Sequence, residues 1–73
     1  MKVSYDKEAD AAYIQLSSKR PQGGVELDEQ VTLHTTAGDE IVGIEILRAS
    51  ERFPVRTLFS YELVAAKTSS PER

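Results

Sequence analysis

Three carboxylates at alternate positions, Asp6, Glu8 and Asp10, have the spacing with which an EF-hand loop begins to wrap a hard cation in oxygen ligands. The glycine that such a loop needs is missing, because Ala11 and Ala12 follow, and no helical pattern precedes it. Capping and solvating a turn is the expected role, and acidic Asp28 and Glu29 are read in the same way. His34 is the single imidazole and there is no cysteine, so disulfides and thiolate sites are excluded and a zinc site has no second soft ligand. As a general base His34 would need a nucleophile or a substrate proton within hydrogen-bond reach, and it stands alone among Val, Thr and Leu positions. Ser17, Ser18 and Ser50 lie outside any G-x-S-x-G context, and Gly23-Gly24 is too short for a phosphate-binding loop. No catalytic residue, metal ligand or cofactor is assigned.

Other polar residues suggest contact rather than catalysis. Glu45 lies in an apolar stretch, where an unpaired carboxylate is costly, and Arg48, Arg52 or Lys2 would be its partner. Arg48, Arg52 and Arg56 recur every four residues and on a helix would form one basic ridge suited to phosphates or an acidic partner, with Pro54 interrupting it. Tyr13, His34, Glu45, Arg48, Arg52 and Arg56 therefore make up the candidate interaction surface.

These residues must be positioned by short strands. The stretch from Asp39 to Leu47 puts Val42, Ile44 and Ile46 on one side and Ile41, Gly43 and Leu47 on the other, the pattern of a central strand with neither side fully wet. Gly43 weakens such a strand but admits the close approach of a ring, for which Tyr13 is the candidate. Upstream, Lys2 to Tyr5 and Ala11 to Leu16 alternate around the charged interruption Asp6-Lys-Glu-Ala-Asp10 and read as a hairpin. Ser17 to Gly24 is an exposed connection; Val25 to Asp28 and Val31 to Thr35 are half-buried strands. Thr36 to Asp39 is a tight turn in which Gly38 is expected to take positive φ.

After Leu47 the period changes. Val55, Leu58, Phe59, Leu63 and Ala66 recur at helical spacing behind Pro54, which predicts an amphipathic helix over Val55–Lys67; a strand over Leu58–Val64 competes with it. The expected architecture is α+β, an antiparallel β-meander of about five short strands with one C-terminal α-helix. A single domain over residues 1–67 is followed by a tail at 68–73 expected to fray.

A chain of 73 residues buries only about 60% of the surface that its unfolded form exposes, so self-association is expected, with a homodimer covering the second face of the central strand. The 40% apolar and 29% charged shares fit a soluble domain, no run reaches membrane-spanning length, and Met-Lys-Val-Ser-Tyr-Asp lacks a signal peptide's apolar segment, giving a cytoplasmic expectation. Net charge −3 opposes a strong hold on nucleic acid.

Two segments, Tyr5 to Ile14 and Val42 to Ser50, with Glu26-Leu-Asp28 between them, resemble a family of small bacterial proteins known as domain of unknown function 2283. The resemblance covers roughly residues 1–53. The chain departs from the family at Ala12, where leucine is more usual, at Gln30, where glycine is common, and at Arg48, where aspartate often stands. Some members sit beside genes for toxin-like proteins, so the resemblance implies an antitoxin-like role. Together these features suggest a non-enzymatic protein-interaction module with a small basic partner. The alternative is a small-molecule or metal-binding pocket assembled between subunits from Tyr13, His34 and Glu45.

Overall fold

The computed structural model describes residues 1–65. Alternating apolar and polar residues form β1 (Lys2–Asp6), β2 (Ala11–Gln15), β3 (Gly23–Glu26), β4 (Val31–Thr35) and β5 (Ile41–Leu47). They pair antiparallel in one sheet of order β1-β2-β5-β4-β3. The central place of β5 is the one its two-sided apolar pattern calls for.

The order is not that of a meander, however. The last strand enters between two hairpins, so β3 lies at the far edge instead of beside β2. Leu16 to Gln22 makes this possible: seven extended residues reach roughly 23 Å, more than the roughly 14 Å across three strand spacings. This connection crosses one end of the sheet. The Leu16 and Ser17 N–H groups donate to the Val42 carbonyl at 2.7 and 3.1 Å, and the Gln22 N–H donates to the Thr35 carbonyl at 2.8 Å. Lys19 Nζ adds an exposed ion pair to Glu40 at 2.6 Å.

Register sorts the side chains into two faces. On one, Val3, Ile14, Ile44, Leu33 and Val25 stand opposite one another across all five strands, and Tyr5, Ala12, Ile46 and Val31 form the next row. β-Branched and aromatic neighbours in such rows are the unit of sheet stabilisation. Yet among the described residues the buried apolar set is Ala12, Val42 and Ala49, and no large side chain is fully buried. Val25 at 50% and Leu16 at 47% exposure leave the margins of the apolar face open. Domains are ordinarily built from two packed layers. Among the described residues this sheet has no helix to serve as its second.

The helix expected over Val55–Lys67 is not formed, and the α+β class gives way to an all-β sheet. Ala49–Glu51 and Val55–Phe59 are short 3₁₀ turns, and Ser60 to Ala65 is neither helix nor strand. Ala66, Lys67 and the tail at 68–73 lie outside the described residues. Val55, Thr57, Phe59, Ser60 and Tyr61 are all mediocre helix formers, and an isolated helix of about 12–15 residues is marginal in water even with better ones. Thr57 also meets the Pro54 carbonyl twice, with its N–H at 3.0 Å and its hydroxyl at 2.7 Å, closing an i to i+3 turn in place of the α-helical bond.

The turn between β4 and β5 shows a smaller difference. Asp39, not Gly38, takes the left-handed backbone, with φ of 68°. Thr36 accounts for its stability: its Oγ1 accepts the Gly38 and Glu40 N–H groups at 3.2 and 3.1 Å, and its carbonyl accepts the Asp39 N–H at 3.1 Å. A register irregularity between His34 and Thr35 follows, where the β4 pairing steps from Gly43 to Ile41.

Candidate functional site

Opposite the apolar rows, the second face gathers three of the six residues proposed for an interaction surface. Tyr13 on β2 pairs with Glu45 on β5, Glu45 pairs with Thr32 on β4, and His34 on β4 pairs with Gly43 on β5. Strand alternation turns Tyr13, His34 and Glu45 to the same side. Gly43 lies beneath them: a Cβ there would fall within 2.5 Å of Tyr13 Cζ, against Tyr13 Oη, and 2.8 Å from the Ile14 carbonyl oxygen. The ring of Tyr13 thus occupies the place of the missing side chain, the contact anticipated from a mid-strand glycine. His34 meets Tyr13 edge to face at 5.5 Å between centroids, and its Nε2 lies 3.2 Å from Glu45 Oε1. The partner of Glu45 is therefore His34, and not one of the cations first considered for it. This pair is partly open, with side-chain exposures of 31% and 40%. It supplies one imidazole and one carboxylate; among the described residues no group of three or more His, Cys, Asp or Glu side chains is placed to hold a metal.

The other three residues do not join this cluster. Without a helix there is no arginine ridge. Arg48 takes a left-handed backbone, φ 50° and ψ 48°, and reaches only Glu51, at 4.0 Å. Aspartate, the residue that the family resemblance implies here, adopts that conformation more readily than arginine. Arg52 is used up in the fold, donating from Nε to Gln30 Oε1 at 2.5 Å and from Nη2 to Asp28 Oδ2 at 2.7 Å. Arg56 stands exposed in the second 3₁₀ turn.

Of the acidic residues weighed as metal ligands, Asp6 and Asp28 close turns. Asp6 Oδ1 accepts the Glu8 and Ala9 N–H groups at 3.0 and 3.2 Å. Asp10, left-handed at φ 53°, is a junction whose reach the sequence does not reveal. Its Oδ1 accepts from the Tyr5 hydroxyl at 2.6 Å and the Ser50 N–H at 3.0 Å, and its Oδ2 accepts from the Ser50 hydroxyl at 2.6 Å. Its carbonyl accepts the Ala49 N–H at 2.9 Å. The Ser50 hydroxyl, followed by that of Tyr5, holds the Asp10 carboxyl below the usual carboxylate range, while the hydrogen bond to Asp10 pushes the Tyr5 phenol up. In the other hairpin turn Asp28 Oδ1 accepts the Gln30 and Val31 N–H groups at 2.7 and 2.9 Å. The Gln30 N–H first, and Arg52 after it, hold the Asp28 carboxyl low as well.

Tyr5, Asp10, Asp28 and Gln30 were thus missing from the proposed site, and their role is to tie down the chain that leaves β5. Acidic Asp28 and Glu29 mark that turn in the sequence, but nothing there shows its tie to Arg52. Ser17 Oγ accepts the Lys19 N–H at 3.1 Å, and Gly23 and Gly24 belong to β3. The surface has shallow depressions at its two ends, one around Lys2, Gln15 and Leu16 and the other around Asp28, Gln30, Arg48 and Arg52; neither is lined by Tyr13, His34 or Glu45. No helix among the described residues is long and apolar enough to cross a membrane.

A family model described as a protein of unknown function, DUF2283, matches residues 2–50, which take in the whole five-stranded sheet and the junction at Ser50. No curated protein and no solved structure matches the chain.

Proposed function

We propose, on the premise that this chain belongs to the DUF2283 family of proteins of unknown function, that it is a non-enzymatic protein-interaction module whose apolar sheet face takes a protein surface as its second layer. One observation carries this reading: the row Val3–Ile14–Ile44–Leu33–Val25 runs the full width of the sheet with Val25 exposed and the other four half-buried, and among the described residues no large side chain is fully buried. Apolar area left at a surface in one contiguous patch favours association, because burying it releases roughly 25 cal/mol per Å². The first test is mass by light scattering after size exclusion at micromolar concentration. A folded monomer that captures no protein overturns the reading. The antitoxin-like version, with a small basic partner complementing the net charge of −3, is tested by pull-down with the product of the adjacent gene, and no retention removes that version.

A second reading, a small-molecule site between subunits, draws on the convergence of Tyr13, His34 and Glu45 over Gly43. The cluster is open and lines neither depression, so the interaction reading is favoured. A thermal-shift screen separates the two. A ligand that stabilises the parent protein but not Tyr13→Phe or Glu45→Gln variants would favour the site.

A further inference from the structure

We infer that Ser60–Val64 is an exchanged arm that adds as a sixth, antiparallel strand to the free edge of β1 in a second copy of this chain; the inference rests on the reading of the chain as an interaction module and adds an edge contact to the covering of the apolar face. Ser60 has extended dihedrals, φ −134° and ψ 126°. Beyond it the exposures are 81% at Tyr61, 89% at Leu63 and 75% at Val64, which with Met1 are the most open large apolar side chains among the described residues. Among the described residues no backbone hydrogen bond reaches Tyr61 to Ala65. The extended backbone at Ser60, the lack of backbone partners among the described residues and the alternation of Tyr61 and Leu63 suit β-augmentation, in which the main chain supplies the pairing and the side-chain phase supplies the selectivity.

The sheet has two edges, and their sequences distinguish them. β1 matches the arm in length at five residues, and placing Tyr61 beside Tyr5 and Leu63 beside Val3 prolongs both apolar rows. Ser60, Glu62 and Val64 then fall on the polar side opposite Asp6, Ser4 and Lys2, where Val64 can lie along the aliphatic stem of Lys2. β3 has four residues, of which Gly23 and Gly24 offer no side chain to pack against, and its Glu26 would meet Glu62 as a like charge. Unprotected edges are templates for foreign strands, and an arm supplied by a second copy pairs this one, leaving the short arm as the new margin. Within one chain the arm leaves its own β1 unpaired, which points to that second copy as the acceptor.

The chain has no cysteine, so a pair can be introduced cleanly. Ser4→Cys and Glu62→Cys are made in separate full-length chains, mixed and mildly oxidised, and the mixed disulfide is quantified by mass spectrometry, with circular dichroism confirming that each variant folds. A Glu26→Cys chain mixed with Glu62→Cys serves as the control edge. The expected result is Ser4–Glu62 cross-linking at least about tenfold faster than Glu26–Glu62, because pairing raises the local thiol concentration from micromolar toward millimolar. Equal rates, or a preference for Glu26, in a protein that remains dimeric by light scattering overturn the arm and leave the interaction reading standing. A folded monomer without preferential cross-linking that captures no protein overturns both.

Discussion

The two faces of this sheet are built on opposite terms. On the polar face a glycine in β5 is filled by Tyr13 from the neighbouring strand, and His34 and Glu45 meet across the same spot, so the polar groups find partners within one chain. On the apolar face the rows through Ile44 and Ile46 pair strand to strand with their large side chains half-buried, and among the described residues full burial on that face is reached at Ala12 and Val42. One face is finished by local contacts of modest strength. The other leaves its large side chains half-buried, and under the proposed interaction a protein surface would cover them and tie folding to association.

Four substitutions break or sharpen this contrast. The largest effect is expected at Ile44→Asp, which puts a carboxylate in the middle of the five-strand row. Urea unfolding should show a loss of about 3 kcal/mol or more together with loss of oligomer. A folded, associating variant within about 0.5 kcal/mol of the parent would show that the apolar face needs no cover. Next comes Gly43→Ala on the polar face. Its Cβ displaces Tyr13 and presses on the Ile14 backbone, at a cost of about 1–3 kcal/mol. Removing the ring as well, in Gly43→Ala with Tyr13→Ala, should restore only part of that loss, because the carbonyl contact remains.

The third substitution probes the apolar side through its polar margin. Asp10 has a lowered folded pKa, so its contribution is fully present above the ordinary carboxylate range and is lost as pH falls through the folded value. Tyr5, with its pKa raised, contributes below its ordinary range and loses that contribution as pH rises through the folded value. Urea midpoints taken from neutral pH down to about pH 3 should fall less steeply in Asp10→Asn than in the parent, since the variant no longer titrates. Part of the slope should persist, because Asp28 is also held low. The smallest effect is expected at Glu45→Gln: a half-exposed pair with His34 contributes less than about 1 kcal/mol, and thermal unfolding should shift only slightly.

The legible and illegible parts of the chain divide along physical lines. The central place of β5 could be read because a strand apolar on both sides has nowhere else to lie, and the contact between Tyr13 and Gly43 because a bare strand position invites a ring. Strand order was harder, since alternation fixes which face a residue takes and says nothing of which strand lies beside it. The length of the Ser17 to Gly24 connection, against the tighter links elsewhere, was the available sign. The helix was misjudged because Val55, Leu58, Phe59 and Leu63 satisfy a period of 3.6 while Phe59, Tyr61 and Leu63 satisfy a period of 2. Propensity and the absence of a packing partner decided against the former. The junction of Asp10 with Ser50 joins residues 40 positions apart through groups that are individually ordinary, and no local pattern announces it.

Ser50 and Arg52 reach different hairpin turns, Ser50 to the one between β1 and β2 and Arg52 to the one between β3 and β4. The Arg52 link needs only β3, β4 and β5, which are consecutive in the chain, whereas the Ser50 link needs β2 to have joined β5, so of the two it is the one that waits for the long-range pairing. Weakening the Ser50 link should therefore hasten unfolding more than it slows refolding, and weakening the Arg52 link should act more evenly on both rates.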